Sequence, residues 1–258
     1  MNQEERLIMI KKMLTKQQQL STRDLANHFH VSFDTARRDV LRLTSTGQAV
    51  RIHGGLMAID QNDVPSFLMR NQIQSPLKEK MAHKAKRFIH PGQCDFIGPS
   101  TTLRHLCTQL GGNDLQIVTN SIDNALALMA EPLPSVILLG GEIRKKERYI
   151  FSASSLNELN RFYFNTAFVG ASKVRNDGIY TPSLQDAEMI EAAVNHAKQV
   201  VLIAENYKFT NHNSSPYRSA SLDQIDVVIT DMPLAPERRQ IFKKQTQIIS
   251  VMKGDHYA

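Results

Sequence analysis

The sequence predicts an α/β fold class, with a small basic N-terminal domain and a larger C-terminal domain that contains a mainly parallel sheet. Two observations predict it. Residues 1–58 hold nine Lys/Arg against five Asp/Glu, which is +4 of the net +6 carried by all 258 residues. From about residue 75 onward, continuous apolar runs alternate with helix-like stretches, as in parallel strands joined by helices. We expect domains at 1–57 and 75–258, with a linker at 58–74.

The N-terminal domain is predicted to contain three short helices followed by a hairpin. Apolar residues spaced like one face of a helix recur in each of the first three segments. Ser21 and Ser32 precede the second and third segments and predict N-terminal caps. The alternating run 50–53, followed by two glycines, predicts a strand that leads into a tight turn. The predicted inward-facing residues are Leu7, Ile10, Leu14, Leu25, Phe29, Ala36, Val40 and Leu43.

The third predicted helix, 32–43, carries hydroxyl groups at its start and arginines along its length. A helix N-terminus and hydroxyls favour phosphate, and arginine can form two hydrogen bonds with guanine in the major groove. These features predict a winged helix-turn-helix that binds double-stranded DNA. The alternative is a helical surface domain whose arginines are merely solvated. The candidate DNA-binding residues are Ser21, Thr22, Ser32, Phe33, Thr35, Arg37, Arg38, Arg42, Arg51 and His53.

The larger domain contains alternating strand and helix candidates. The strand candidates are 93–98, 115–119, 135–140, 165–170, 199–204, 225–230 and 246–251. The helix candidates are 75–90, 102–110, 121–130 and 184–197.

Small and hydroxyl residues follow several of the predicted strands, and the carboxyl ends of parallel strands are where such sheets bind ligands. Amides and hydroxyls at these positions can hold a phosphate, and a lysine can supply countercharge. Taken singly, each motif is better explained as a turn, whereas their joint position after successive strands favours a pocket. The candidate effector-binding residues are Ser100, Thr101, Thr102, Asn120, Ser121, Gly140, Gly141, Gly170, Asp177, Gly178 and Lys208.

Composition argues against several classes of protein. No apolar run approaches the roughly 18 residues of a membrane span, and the charged N-terminus lacks the features of a signal peptide. Cys94 and Cys107 offer neither a disulfide framework nor the spacing of a metal site. We therefore expect a cytoplasmic protein without a metal, a cofactor or a membrane partner.

The N-terminal residues together resemble the DeoR family of bacterial transcription regulators. The matching residues are Arg6, Ile10, Leu14, Ser32, Thr35, Ala36, Arg37, Arg38, Asp39, Val40 and the hairpin Arg51-Ile52-His53-Gly54-Gly55. By this resemblance, Ser32, Thr35, Arg37 and Arg38 contact DNA. Asp39 is expected to pair with a nearby arginine, because its charge would repel phosphate.

The resemblance extends to the C-terminal domain, which it implies is a Rossmann-like sensor domain similar to ribose-5-phosphate isomerase. It implies a repressor of carbohydrate-related genes whose operator binding responds to a small molecule, by default a phosphorylated sugar. The chain departs from the family's usual Asp-Ser-Gly-Thr-Thr motif, because Gly98-Pro99-Ser100 replaces the first three residues. Ile190 stands where many members have lysine, and Glu205 stands where aspartate is usual.

Two alternatives stay open from the sequence. One is a sugar-phosphate isomerase-like enzyme with an accessory DNA-binding domain, and the other is a regulator that has lost effector binding. For a regulator, whether or not it binds an effector, we expect a homodimer or homotetramer, because helix-turn-helix proteins commonly bind paired half-sites.

Overall fold

The computed structural model describes residues 1–45, 48–52, 54–58, 66–72, 75–209 and 215–252. The chain divides into two compact units, Met1–Ser75 and Pro76–Ala258. His53 and the stretches 59–65 and 73–74 of the predicted linker lie outside the described residues. The domain boundaries at residues 57 and 75 therefore stay a prediction.

The first unit is a helical core with a small sheet. Its helices are α1 (Gln3–Gln17), α2 (Thr22–Phe29), α3 (Phe33–Ser45) and α4 (Phe67–Gln72), and its strands are β1 (Gln19–Ser21), β2 (Val50–Ile52) and β3 (Gly55–Met57). The three strands pair antiparallel in the order β1-β3-β2. Gly54 makes the predicted turn between β2 and β3 with a φ of +80°, which glycine adopts without steric cost.

The local sequence explains why these helices form where they do. The Ser21 hydroxyl accepts a hydrogen bond from the Asp24 N–H at 3.0 Å, and the Ser32 hydroxyl accepts one from the Thr35 N–H at 3.1 Å. Both predicted caps are therefore confirmed. The predicted inward-facing residues all belong to one core, with Phe29 half-buried at its margin.

The segment predicted to be a linker holds a helix that sequence reasoning missed. Helix α4 lies within it, and the Phe67 side chain is buried. The six-residue length of α4 explains the miss, since it is too short to show a clear helical period.

The second unit alternates strands and helices along most of its length. Its helices are α5 (Pro76–Ala85), α6 (Thr101–Cys107), α7 (Ile122–Leu128), α8 (Ala153–Leu159), α9 (Leu184–Asn195) and α10 (Pro236–Arg239). Its strands are β4 (Cys94–Ile97), β5 (Gln116–Thr119), β6 (Ser135–Leu138), β7 (Glu142–Arg144), β8 (Tyr149–Phe151), β9 (Phe164–Gly170), β10 (Lys173–Arg175), β11 (Gly178–Thr181), β12 (Ala197–Ile203), β13 (Tyr217–Ala220), β14 (Val227–Thr230) and β15 (Gln247–Ser250). Short 3-10 turns lie at Lys86–Phe88, Asn206–Phe209 and Leu222–Gln224.

Seven of these strands form one parallel sheet, in the order β15-β14-β12-β9-β4-β5-β6. The predicted α/β class and all seven predicted strands are confirmed. The strand order reverses between the neighbours β4 and β9, and open α/β sheets bind ligands outside the carboxyl ends of the strands at such a point. Apolar side chains cover both faces of the sheet, with Phe168 and Val201 in one cluster and Val169 and Leu202 in another.

Two antiparallel additions lie outside the seven-stranded sheet and were not predicted. Strands β10, β11 and β13 form a three-stranded sheet, and β7 and β8 form a hairpin. Each of these strands has only three or four residues, so its sequence shows little alternation. Among the residues the structure describes, no helix combines the length and the hydropathy needed to cross a bilayer.

Candidate functional sites

Helix α3 separates a packing face from a polar face. Ala36, Val40 and Leu43 are buried in the core of the first unit. Arg37 and Arg38 are exposed, and neither forms an ion pair with a carboxylate of the described residues. The helix can turn Arg37 and Arg38 toward a polyanion without first breaking an ion pair of the described residues.

A buried ion pair fixes the position of α3 against α1. The Arg6 Nε atom lies 2.7 Å from Asp39 Oδ2, and the Arg6 Nη2 atom donates to Asp39 Oδ1 at 3.2 Å. The Gln3 amide also donates to Asp39 Oδ1, at 3.0 Å. The Asp39 side chain is 1% exposed, and its hydrogen bonds raise the pKa of the Arg6 guanidinium further. Asp39 is therefore paired with an arginine, as expected, and it holds the helix in place.

The start of α3 presents hydroxyl groups and one aromatic ring. The Ser32 and Thr35 hydroxyls lie 2.9 Å apart, so the cap joins the two side chains. Phe33 is a large aromatic side chain that is 55% exposed. Arg42 is also exposed and lies further along the same helix.

The remaining DNA-binding candidates lie around α3 rather than on it. Ser21 is half-buried and acts as the cap of α2, while Thr22 is buried and its N–H donates to the Gly54 carbonyl at 2.8 Å. The Thr22 side chain is thus less accessible to DNA than the sequence suggested. Arg51 is half-buried on β2, and His53 lies outside the described residues.

In the second unit, the strand ends at the reversal point lie against each other. The Gly98 N–H donates to the Phe168 carbonyl at 3.0 Å, which pairs the end of β4 with β9. A Cβ atom added to Gly170 would lie 3.2 Å from the Ser100 Cβ. Ser100 and Gly170 therefore meet directly at the switch point. Thr101 and Thr102 follow as buried residues of α6.

Hydrogen bonds join the ends of β4 and β5. The Thr119 hydroxyl donates to the Ile97 carbonyl at 2.6 Å, and the Asn124 amide donates to the Ile97 and Gly98 carbonyls at 3.2 and 2.9 Å. Asn120 and Asn124 are fully buried, and their Oδ1 atoms have no hydrogen-bond partner among the described residues. Each of these oxygens is a buried acceptor without a partner among the described residues, which is uncommon in folded proteins.

Asn124 is a site residue that sequence reasoning missed. The signal was its position three residues after Ser121, whose hydroxyl accepts the Asn124 N–H at 3.3 Å. A residue at this point of a capped helix lies close to the preceding strand end.

The hairpin of β7 and β8 lies beside the end of β5. The Asn120 amide donates to the Ile150 carbonyl at 3.3 Å, and the Ile150 N–H donates to the Asn120 carbonyl at 2.8 Å. Gly141 has a φ of +139°, and an added Cβ would lie 2.5 Å from the Phe151 carbonyl oxygen. Gly141 therefore permits the close approach of the hairpin strands, whereas a Cβ at Gly140 would meet no atom within 4 Å.

Charged residues follow β12 and β14. Lys208 is buried, with its Nζ atom 4.6 Å from the centre of the Tyr207 ring. Lys78 of α5 is also buried, 3.8 Å from a Glu205 carboxylate oxygen, and sequence reasoning missed it. Burial, followed by the charge of Glu205, raises the pKa of Asp231. Glu205 and Lys208 thus follow β12, Asp231 follows β14, and Lys78 lies close to Glu205.

Asp177 lies in the turn between β10 and β11, and Gly178 is the first residue of β11. The Tyr180 hydroxyl donates to Asp177 Oδ2 at 2.6 Å. A Cβ on Gly178 would collide with the Ala220 carbonyl oxygen, so the pairing of β11 with β13 requires a glycine there. Asp177 and Gly178 therefore each have a structural role that is independent of an effector.

Comparison with known protein families decides what kind of molecule carries these two sites. The family model of the DeoR-like helix-turn-helix domain matches residues 6–62, and that of the DeoR C terminal sensor domain matches residues 73–232. The chain belongs to the DeoR family of transcription regulators. In this DeoR-family protein, α3 lies within the matched helix-turn-helix domain. Six strands of the seven-stranded sheet lie within the matched sensor domain, and β15 follows the matched region.

Several characterised regulators are similar to this DeoR-family chain over most of its length. It is 30% identical to the HTH-type transcriptional repressor GlcR of Bacillus subtilis (strain 168), over 90% of this chain and 89% of that protein. It is 29% identical to the lactose phosphotransferase system repressor of Lactococcus lactis subsp. lactis, over 96% and 99%. It is 29% identical to the glycerol-3-phosphate regulon repressor of Escherichia coli (strain K12), over 85% and 88%.

Likeness to solved structures is more distant. Ribose 5 phosphate isomerase A from Neisseria gonorrhoeae is 18% identical, with a TM-score of 0.36 over 52% of each chain. This likeness carries no conclusion about activity or ligands.

Proposed function

We propose that this DeoR-family chain represses carbohydrate-related genes. In this proposal, α3 binds operator DNA, and a phosphorylated sugar at the carboxyl edge of the seven-stranded sheet changes that binding. The observation that carries the proposal is the polar face of α3, where Arg37 and Arg38 are exposed and unpaired among the described residues. The Arg6–Asp39 ion pair supports it, because that pair holds the helix in place while leaving the two arginines available.

Selection from a randomised duplex pool, followed by gel-shift titration of the recovered sequence, tests DNA binding. Affinity should fall steeply as salt rises, because binding releases counterions from the phosphates. Arg37→Ala should cost about 1–3 kcal/mol and relax the preference at one base, if Arg37 bonds a guanine.

The matched control is Arg161→Ala, since Arg161 is exposed in the sensor unit. It should leave affinity unchanged. Recovery of no salt-sensitive sequence by the wild-type chain would overturn the proposal that it binds operator DNA.

Three features at the carboxyl edge support a phosphorylated sugar as effector. Ser100 and Gly170 meet at the switch point, Asn120 and Asn124 offer buried acceptor oxygens, and Lys208 brings a buried positive charge to the same edge. Hydroxyl and amide groups bind sugar hydroxyls, and a cation favours phosphate. The names of two relatives refer to a lactose phosphotransferase system and to a glycerol-3-phosphate regulon, which agrees with this class of ligand.

Thermal unfolding with a panel of sugar phosphates and the matching unphosphorylated sugars tests the effector. A ligand that prefers the folded chain raises its unfolding temperature, and only the phosphorylated member of a pair should do so. Asn120→Ala should reduce the shift, while Asn157→Ala, at an exposed position of α8, should retain it. If no sugar phosphate changes the unfolding temperature, the regulator acts without this class of effector.

We also propose that the chain acts as a homodimer or homotetramer and is not an enzyme. Paired DNA-binding units favour a two-fold operator. Sedimentation with and without operator tests assembly, and a monomer bound one-to-one to DNA would contradict it. Turnover of ribose 5-phosphate that disappears in Lys208→Ala would establish an isomerase instead.

A further inference from the structure

Phe33 is a large apolar side chain at the start of the helix proposed to bind DNA. It is 55% exposed and does not belong to the core cluster that contains Ala36, Val40 and Leu43. Single exposed apolar residues are common on protein surfaces, so exposure alone assigns nothing. The position of Phe33 in α3 is what gives its exposure a meaning.

Phe33 is the first residue of α3, directly after the Ser32 cap. Helical side chains lean toward the N-terminus of their helix, so the Phe33 ring covers the beginning of α3. Residues four apart are neighbours on a helix surface, which places Phe33 beside Arg37. In helix-turn-helix proteins, the N-terminal residues of the second helix of the motif contact base edges in the major groove.

The apolar group that the major groove offers is the 5-methyl group of thymine, and phenylalanine is among the side chains that contact it. A ring that stays exposed in the free protein loses nothing internally when it moves against this methyl group. Burial of both apolar surfaces then contributes to binding.

We infer that Phe33 is a specificity-determining residue that contacts the 5-methyl group of a thymine adjacent to the base contacted by Arg37. This inference rests on the proposed function, since it presupposes that α3 enters the major groove. It adds a preference for one base that neither arginine can supply, because arginine reads guanine.

The test uses the duplex that the wild-type chain selects from a randomised pool. Each thymine near the α3 contact is replaced in turn by uracil, which removes only the 5-methyl group. At one thymine, the wild-type chain should bind about fourfold more weakly after replacement, which corresponds to losing one buried methyl-sized group. Phe33→Ala should bind the thymine and uracil duplexes equally.

Ile8→Ala is the control, because Ile8 is a 49% exposed apolar residue of α1 in the same unit. This variant should retain the full sensitivity to uracil. Phe33→Leu should keep part of the sensitivity to uracil. If Phe33→Ala no longer binds DNA at all, the leucine variant is the one that tests the inference.

The inference is overturned if no uracil replacement weakens the wild-type chain, or if Phe33→Ala or the leucine variant shows unreduced sensitivity. Loss of all discrimination in Phe33→Leu would support the inference, as the same loss does in Phe33→Ala. These results are distinguishable from failure of the proposed function, in which the wild-type chain selects no duplex with salt-sensitive affinity.

Discussion

The two units of the molecule bury carboxylates in different ways. In the DNA-binding unit, Asp39 accepts hydrogen bonds from the Arg6 guanidinium and the Gln3 amide. In the sensor unit, Asp95 is fully buried on β4, where Oδ1 accepts the Thr166 N–H at 2.9 Å and Oδ2 has no hydrogen-bond partner among the described residues. A buried charge is tolerated when a partner compensates it and costs free energy when none does. The Asp39 carboxylate therefore stabilises the fold through its ion pair, and the Asp95 carboxylate makes stability depend on pH.

Removing the compensated carboxylate should have the largest effect. Asp39→Ala leaves the buried Arg6 guanidinium without its partner, which is expected to destabilise the protein by about 3–5 kcal/mol. Urea unfolding followed by circular dichroism measures the loss. Asp34→Ala is the matched control, since Asp34 is an exposed acid of the same helix. Equal stability of the two variants would show that the ion pair does not brace α3.

The contribution of the uncompensated Asp95 carboxylate to stability should depend on pH. Burial raises the pKa of Asp95 to about 7. Because the folded protein holds this proton more tightly than the unfolded chain, the contribution of Asp95 to stability is full below its ordinary pKa and is lost as the pH rises through about 7.

Asp95→Asn removes this titration. At about 1.4 kcal/mol per pKa unit, the difference in unfolding free energy between the variant and the wild type should change by up to about 4 kcal/mol between pH 4 and pH 8, in favour of the variant at the higher pH. Unfolding curves across this range measure it. A constant difference would mean that Asp95 stays charged throughout.

A neutral buried side chain should have an intermediate effect. Asn124→Ala removes the amide that donates to the Ile97 and Gly98 carbonyls, and the loss of buried hydrogen bonds is expected to cost about 1–3 kcal/mol. Thermal unfolding compares it with Asn157→Ala. If both variants unfold together, Asn124 does not link the strand ends.

An exposed ion pair should have the smallest effect. Arg144 lies 3.1 Å from Glu142, whose side chain is 69% exposed, and pairs of this kind contribute little in water. Glu142→Ala is expected to change stability by less than about 0.5 kcal/mol in the same urea assay. If Glu142→Ala lost as much stability as Asp39→Ala, burial would not explain the order of these effects.

The sequence predicted the regular parts of this molecule and missed the irregular ones. The seven strands of the parallel sheet are largely apolar runs, and the inner strands are the most readable because both of their faces are buried. The pairing of Asp39 with an arginine was expected from the resemblance, because the charge of Asp39 would repel phosphate.

The missed features depend on contacts between distant parts of the chain. Strand β13 joins β11 although about 40 residues separate them, as the pairing of Ile179 with Ala220 shows. The local spacing of apolar residues contains no information about so distant a partner. The same holds for Lys78, whose neighbour Glu205 follows a different element. In the candidate DNA site, residue types identified α3, but only the structure reveals that Thr22 is buried while Phe33 is exposed.

The side chain of Asn124 donates to the end of one strand while its backbone belongs to the helix that follows the next strand. These two loops therefore cannot shift independently. A molecule that pulls on one of them must either move both or break the amide contacts that join them. As long as these hydrogen bonds hold, displacement of either loop requires the other to follow, so the two loops are expected to move together.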